Sequence, residues 1–248
     1  MTADHAEAEA RGVATDLGQL LERVVVPNED AAEWLPERLS FLLARENYAQ
    51  YLRAAREGHD IVAGNLVRAL FEEAMRWAWV DEDRSQRRTA FLGEAVRRHR
   101  QVDGAARKLG IEPDNYYGPM VADVLAAAEG AMRFPVKIQG QLDWTLGEVD
   151  DQLYTQYRLL SQYAHSSLLA SASAAEVDKG QLVVGRLPQV ARMTVLRNAA
   201  ANVAFICEGC QAGLIFDGAT GGAPLALCAW AAASQVADLV LEFAPATE

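Results

Sequence analysis

The sequence predicts an all-α protein, a single bundle of seven or eight helices, and three observations support this fold class. Apolar residues recur at spacings of three and four along most of the chain, which is the period of a helix with one buried face. Prolines and glycines number 8 and 18 among 248 residues, and most fall between the periodic segments. Hydrophobic residues make up 51% and charged residues 23%, as in an ordinary globular domain.

Residues that begin or end helices set the boundaries of the predicted elements. Pro36 suits the first turn of the second helix, and Gly58 is a stop signal at its end. Asp60 and Ser85 are each placed to cap the helix that follows. In chain order, the predicted helices cover about residues 15–25, 36–56, 60–79, 85–110, 120–132, 151–170, 189–215 and 224–243.

Three further segments complete the predicted organisation. Residues 1–13 are expected to form a flexible N-terminal tail, followed by one domain over residues 14–248. The stretch KGQLVVGRL fits either a small hairpin near residues 180–187 or a loop. The last helix, residues 224–243, is apolar on several faces, so we expect it to be a packing or dimerisation helix.

The charge of the chain excludes a general attraction for nucleic acid or anionic lipid. Its 34 acidic residues outnumber 23 basic ones, for a formal net charge of -11 at pH 7. One basic segment is the exception: it offers either a local RNA-binding face or a helix balanced by nearby acids. Its bases are Arg84, Arg87, Arg88, Arg97, Arg98, Arg100, Arg107 and Lys108.

The N-terminal sequence and the number of cysteines both indicate a cytoplasmic location. The N-terminus has no basic and apolar signal-peptide pattern, and no uninterrupted apolar run approaches the ~20 residues of a membrane span. Three cysteines suit a reducing compartment, so we expect a cytoplasmic protein without membrane contact. Cys207 and Cys210 form a lone C-x-x-C inside an apolar helix, which favours buried core thiols over a zinc or redox site.

The predicted helix over residues 151–170 carries the most informative pattern. At ~100° per residue, Tyr154, Arg158, Ser161 and His165 form a polar stripe beside the apolar face. Ser161 and His165 are one turn apart and can hydrogen-bond, whereas Arg158 and His165 are ~10.5 Å apart along the axis. A phosphate fits between that guanidinium and imidazole. The alternative is a structural role, with a satisfied histidine and a solvated arginine.

The third helix supplies a candidate partner for this stripe. Arg68, Glu72 and Arg76 repeat at a spacing of four, which makes a ladder of alternating charge. If the ladder packs against the stripe, Glu72 can orient His165 or pair with Arg158. On an exposed face, the same ladder is only a set of weak surface ion pairs.

The R-x6-H pair of Arg158 and His165, on a helix late in an all-α chain, resembles the HEPN superfamily (higher eukaryotes and prokaryotes nucleotide-binding domain). A second motif is similar to a poorly characterised bacterial helical family related to HEPN. Its residues here are Arg68 and Glu72 (R-x3-E), then Tyr157, Ser161 and His165 (Y-x3-S-x3-H).

The HEPN resemblance implies a nucleotide-binding protein or a metal-independent ribonuclease of a toxin or defence system. It implies that Arg158 stabilises the scissile phosphate, that His165 acts as general acid or base, and that a homodimer brings two such pairs together. Tyr154, Tyr157, Ser161, Arg68 and Glu72 would bind or orient the substrate. Leu159 departs from the family pattern, in which a polar residue usually follows the arginine.

Two other function classes remain open from the sequence. One is a non-catalytic interaction or regulatory module that uses the C-terminal helices, which carry no Lys or Arg after residue 198. The other is a helical enzyme for a small anionic metabolite, with Arg158, His165 and Glu72 lining an interior pocket. The sequence has no P-loop, G-x-G-x-x-G, H-E-x-x-H or G-x-S-x-G motif and no pair of E-x-x-H repeats, so we predict no cofactor.

Overall fold

Eight α-helices and one two-stranded hairpin make up the part of the chain that this computed structural model describes. The described residues are 2–28, 33–81, 83–110, 126, 128, 151–164, 172, 174–178, 181–216 and 224–243. The helices of the first half are α1 (Ala3–Glu22), α2 (Leu35–Glu57), α3 (Asp60–Asp81), α4 (Arg84–Arg87) and α5 (Ala90–Lys108). The second half contains α6 (Asp151–Ala164), β1 (Ala175–Asp178), β2 (Gln181–Val184), α7 (Gln189–Cys210) and α8 (Leu225–Phe243).

The predicted all-α bundle is confirmed, and the hairpin alternative is the correct one. Strands β1 and β2 pair antiparallel, with Val177 opposite Leu182, so the hairpin begins a few residues before the predicted segment. The predicted helix over residues 120–132 lies outside the described residues, as does the end of the predicted helix after residue 164.

The predicted flexible tail at residues 1–13 is wrong, because α1 begins at Ala3. Ala6, Ala10 and Ala14 are fully buried at a spacing of four, and α1 packs against α2 and α8. Thr2 caps the helix by accepting a hydrogen bond from the backbone N–H of His5. Alanine side chains bury little apolar area each, so the segment looks polar in sequence although one face of it is core.

The boundaries of α2 follow the prediction. Pro36 lies in its first turn, where a missing N–H costs nothing. Gly58 ends the helix with φ of 84°, a left-handed conformation that glycine adopts without steric cost.

The predicted helix over residues 85–110 is instead two helices. A turn at Arg88 and Thr89 interrupts the helix between α4 and α5, although both residues keep right-handed helical dihedral angles. Arg88 makes a two-point ion pair there with Glu37, at 2.5 and 3.1 Å, and Glu37 is completely buried at the start of α2. A buried carboxylate requires a partner, so this pair ties the junction between α4 and α5 to the start of α2.

Helix α7 is central to the bundle and packs against α2, α3 and α8. The core around it is aromatic: Trp77, Trp79, Phe71, Tyr48 and Phe41 are its largest buried side chains. At Gly209 of α7, the backbone comes so close to Trp77 that an added Cβ would lie 2.8 Å from the indole ring.

Helix α8 packs against the bundle, which is one of the two roles predicted for it; the other was dimerisation. Leu225, Ala229 and Val236 lie on its buried face, and the helix packs on α1 and α7. Leu227 and Leu241 lie on the exposed outer face. By length and composition alone, residues 225–242 are long and apolar enough to cross a membrane, a test that core helices of soluble proteins also pass.

Candidate functional site

The predicted contact between the third helix and the polar-stripe helix is present, because α3 packs on α6. Gly64 allows the two backbones to approach: a Cβ at this position would lie 2.6 Å from the Tyr163 ring. Six residues earlier on α6, Tyr157 stacks on Phe71 of α3 with ring centroids 6.1 Å apart. Leu160 is buried in the same seam, as its place on the apolar face predicts.

Three of the predicted site residues form one cluster at this seam. Arg68 Nε donates to Glu72 Oε1 at 2.9 Å, so the first step of the predicted ladder is an ion pair, whereas Arg76 pairs with Glu73 at 2.6 Å. The guanidinium of Arg68 also lies 5.5 Å from the Tyr157 ring centroid, and its Nη2 donates to the Tyr157 hydroxyl at 3.4 Å. Glu72 therefore orients Arg68. The cation–π contact between Arg68 of α3 and Tyr157 of α6 then joins the two helices.

Of the predicted stripe, only the side chains of Arg158 and Ser161 are among those that the structure describes. Arg158 is exposed on α6 and makes no ion pair with any described residue. Ser161 donates its hydroxyl proton to the backbone oxygen of Tyr157 at 2.7 Å. The side chain of Tyr154 and all of His165 lie outside the described residues, so the predicted Arg158–His165 pair stays a prediction.

Most arginines of the predicted RNA-binding segment have structural partners. Arg88 pairs with Glu37, Arg97 with Glu94, and Arg107 with Asp103. Arg84 bonds to the Gly209 carbonyl and Arg87 to the Trp79 carbonyl, and each guanidinium stacks near a core tryptophan. Within the described part of this segment, the balanced helix fits better than a free basic face.

The prediction of core thiols is confirmed for Cys207 and Cys210. Both are fully buried, and burial raises the pKa of Cys207 to about 12 and that of Cys210 well above its ordinary value. A thiol that stays protonated at neutral pH is a poor nucleophile and a poor metal ligand.

A different basic site, which the sequence did not indicate, lies between α1, α2 and the start of α7. It is a cavity of about 340 Å³, and its charged walls consist mainly of guanidinium groups; we call it the arginine cavity. Its lining residues are Glu7, Arg11, Thr15, Tyr51, Leu52, Ala55, Arg56, Arg186, Arg192 and Leu196.

Glu7 holds two of these guanidinium groups in place. Its Oε1 accepts from Arg11 at 2.8 and 3.1 Å, and Arg192 spans both carboxylate oxygens at 2.9 and 2.7 Å. Burial opposes ionisation of Glu7, but the hydrogen bonds and charges of the two arginines outweigh it and lower its pKa to about 2. The carboxylate is therefore ionised at neutral pH and fixes both arginines at the wall.

The end of α2 fixes the next guanidinium. Arg186 Nε donates to Asp60 Oδ2 at 2.9 Å, and Arg186 Nη2 donates to the Ala55 carbonyl at 3.3 Å. Arg11 donates to the same carbonyl at 3.3 Å. A helix C-terminus exposes unpaired carbonyls at the negative end of its dipole, which favours cations there. Asp60, predicted to cap α3, instead accepts from Arg186 and from the Leu187 N–H at 2.8 Å.

Within the described part of the chain, the fixed guanidinium groups have N–H donors without acceptors, and their positive charge is not fully neutralised. Arginine has five N–H groups. Arg11 and Arg192 each use three of them, and Arg186 uses two. Arg56, also on the wall, is exposed and pairs with no carboxylate among the described residues. Among the described residues, these four arginines face the carboxylates of Glu7 and Asp60, and Asp4 also acts on Arg192, so arginines outnumber carboxylates by one.

A second cavity of about 320 Å³ adjoins the arginine cavity along α1 and α2. Thr15, Leu52 and Arg56 line both cavities, and we call the two together the α1–α2 groove. Arg45 and Arg53 add further positive charge to the second cavity, against Glu22. Chemically, the groove suits an anionic ligand, because preorganised guanidinium groups bind phosphate and carboxylate oxygens.

The arginine cavity was missed because its partners are far apart in sequence. Glu7 and Arg192 are separated by 185 positions, and Arg186 and Asp60 by 126. The available signal was the spacing of Ala6, Ala10 and Ala14, which places Glu7 and Arg11 on a helix instead of in a tail.

No protein-family model, curated protein sequence or solved structure matches the chain. Within the described residues, no group of three or more His, Cys, Asp or Glu side chains is placed to hold a metal ion.

Proposed function

We propose that this protein binds a phosphate-bearing small molecule of the nucleotide class, and that the ligand phosphate occupies the arginine cavity. The observation that carries the proposal is a cavity lined by four arginines in a chain with a net charge of -11. Low-dielectric walls that carry one sign of charge concentrate the field and attract ligands of the opposite sign. The nucleotide class comes from the HEPN resemblance, and the anion preference comes from the cavity.

Support for binding, as opposed to a purely structural network, comes from how the arginines are held. Glu7 and Asp60 position three guanidinium groups, and within the described part of the chain seven of the fifteen N–H donors of these groups have no hydrogen-bond acceptor. Such groups bind an anion without a large ordering cost, because their side chains are already fixed. The proposal retains a cytoplasmic location, in keeping with three unpaired cysteines.

Calorimetric titration with a nucleoside monophosphate, its free nucleoside and inorganic phosphate tests this function. The two phosphates are expected to bind and the nucleoside to bind far more weakly, because the arginines recognise the anion. Arg56→Gln should weaken phosphate binding by about ten-fold, the loss of one close charge pair. Arg100→Gln, which removes an exposed charge from α5, is the matched control and should leave affinity unchanged. Equal binding of nucleoside and nucleotide would contradict the proposal.

We propose a metal-independent ribonuclease as the second candidate, and the exposure of Arg158 favours it. Arg158 has no carboxylate partner among the described residues, so its guanidinium is available to a phosphate. Leu159 beside it is also exposed, as a residue at an interface between two copies would be in an isolated chain. In this candidate, His165 moves the proton and a homodimer completes the site.

The ribonuclease candidate requires RNA cleavage in the presence of a metal chelator. His165→Ala and Arg158→Gln should each abolish cleavage while the helical circular dichroism spectrum stays unchanged. Arg56→Gln, which weakens the arginine cavity, should leave cleavage intact if the two sites are separate. Undiminished cleavage by His165→Ala would rule out this role for the imidazole.

A further inference from the structure

Tyr51 of α2 lines the arginine cavity and is almost fully buried, with only 2% of its surface exposed. Within the described part of the chain, its hydroxyl has no hydrogen-bond partner. The other neutral hydroxyl in the wall differs, because Thr15 donates to the Arg11 carbonyl at 2.8 Å. A buried tyrosine hydroxyl usually has a hydrogen-bond partner, so we expect a ligand to supply the acceptor for Tyr51.

Tyr48, three residues earlier on the same helix, is a direct comparison for Tyr51. Both side chains are buried, and their ring centroids lie 5.8 Å apart. The Tyr48 hydroxyl donates to the Ala14 carbonyl of α1 at 3.0 Å, and Tyr48 is not part of the wall of the arginine cavity. The hydroxyl of Tyr48 therefore joins α2 to α1, whereas that of Tyr51 has no such structural contact with the described residues.

Tyr51 lies at the inner end of the arginine cavity. A smaller chamber of about 10 Å³ adjoins the cavity on the side of the core, where the buried residues Ala63 and Val195 line it. The walls of both spaces share four residues, Arg11, Tyr51, Ala55 and Arg192. The chamber has room for about one water molecule, so a phosphate that enters the arginine cavity stops at these four residues.

The Tyr51 hydroxyl stays protonated at neutral pH. Burial raises the pKa of Tyr51 well above its ordinary value; the charge of Arg11 opposes this shift, and the carboxylates of Asp60 and Glu7 reinforce it. A protonated phenol is a neutral hydrogen-bond donor. The inner end of the cavity therefore combines this neutral donor with the guanidinium groups of Arg11 and Arg192.

We infer that Tyr51 is a ligand-binding residue, whose hydroxyl donates a hydrogen bond to an oxygen of the phosphate that Arg11 and Arg192 bind. The phosphate enters the cavity first, and the remainder of the ligand extends towards the exposed Arg56. A hydrogen bond to an ionised acceptor is stronger than one between neutral groups. This inference rests on the proposed function and adds a neutral donor and the orientation of the ligand.

Tyr51→Phe tests the inference, because it removes one oxygen and keeps the ring. Calorimetric titration with inorganic phosphate should show about ten-fold weaker binding than to the unmodified protein, the loss of a hydrogen bond to a charged group. In the absence of phosphate, the variant should melt at the same temperature as the unmodified protein or higher, because the change removes a buried hydroxyl without a partner.

Tyr48→Phe is the matched control and should give the opposite pattern. It breaks the hydrogen bond to the Ala14 carbonyl, so the melting temperature should fall by about 2–4 °C. Its affinity for phosphate should stay unchanged, because its hydroxyl is not in the wall of the arginine cavity.

Unchanged phosphate affinity in Tyr51→Phe would overturn the inference, while phosphate binding by the unmodified protein would still support the arginine cavity. A lower melting temperature of phosphate-free Tyr51→Phe would also overturn it, because the hydroxyl would then have a structural partner. If inorganic phosphate does not bind the unmodified protein, both the inference and the proposed function fail.

Discussion

A single carboxylate, that of Glu7, organises the arginine cavity. Its side chain is only 11% exposed and receives four hydrogen bonds from Arg11 and Arg192. Hydrogen bonds to an ionised, partly buried group are stronger than neutral ones. Glu7 therefore stabilises the fold and at the same time fixes two guanidinium groups for an anionic ligand.

The lowered pKa of Glu7 predicts how stability depends on pH. Its folded pKa of about 2 lies below the ordinary 4.5, so its stabilising contribution is complete above pH 4.5 and is lost as pH falls towards 2. Glu7→Gln should lower the free energy of unfolding at neutral pH by about 2 kcal/mol and flatten this acid dependence. Urea denaturation across the pH range measures both effects. Glu9→Gln, an exposed change on α1, is the control, and an equal loss there would count against the role of Glu7.

At the scale of elements, the bundle depends on helices that approach closely at small residues. Gly64 brings α3 against Tyr163 of α6, and Gly209 brings α7 against Trp77. Such sites have no room for an added methyl group, whereas an exposed helical glycine only weakens its helix. The α3–α6 contact is also where Arg68 and Tyr157 meet, so its packing supports the predicted cluster.

Two alanine substitutions of opposite expected sign test this packing. Gly64→Ala should lower the free energy of unfolding by about 1–3 kcal/mol, since its Cβ would lie 2.6 Å from the Tyr163 ring. Gly12→Ala meets nothing within 4 Å on α1 and should raise stability by up to about 1 kcal/mol through helix propensity. Chemical denaturation of both variants gives the comparison. A neutral Gly64→Ala would show that α3 and α6 are not in close contact.

Local sequence patterns predicted most helices but missed the arginine cavity, because helix boundaries depend on neighbouring residues and the cavity depends on contacts between distant ones. Pro36 and Gly58 act on their own backbone, so their effect on α2 is readable from the sequence. The ion pair of Arg88 at the junction of α4 and α5 joins it to Glu37, a residue 51 positions away, and no local pattern indicates such a pair. The same holds for Arg186 and Asp60, whose pairing exists only after the bundle has assembled.

At the scale of the whole molecule, an acidic chain encloses a small basic groove. The net charge of -11 repels anions in general, while the described wall of the arginine cavity contains more arginines than carboxylates. The acidic outer surface repels a long polyanion, whereas a short anionic ligand that enters the groove is attracted by the arginines. This contrast agrees better with a small ligand than with nonspecific binding of nucleic acid.

The salt dependence of affinity distinguishes binding of a small ligand from nonspecific binding of nucleic acid. Binding of a phosphate monoester should weaken by several-fold as ionic strength rises from about 0.01 M to about 0.15 M, because the groove is partly open to solvent. Titrations in a series of salt concentrations measure the slope. A slope as steep as that of proteins that contact many phosphates would contradict a one-phosphate site.

The homodimer stays a prediction, and the outer face of α8 is a second exposed apolar surface, besides Leu159 of α6, through which two copies can associate. Leu227 and Leu241 are 62% and 60% exposed on the outer face of α8. Light scattering should report twice the chain mass of 27.0 kDa, and Leu227→Glu should restore the monomer mass. A monomer in the unmodified protein would remove both the dimer and the interface role of α8.

The location of the bound anion is the most direct test of the account. Nuclear magnetic resonance of the arginine Nε–Hε groups follows each guanidinium separately during titration with a nucleoside monophosphate. The account predicts saturable shifts for Arg11, Arg56 and Arg186, with Arg100 unaffected. Shifts confined to the arginines of α4 and α5, with those of the arginine cavity unmoved, would contradict it.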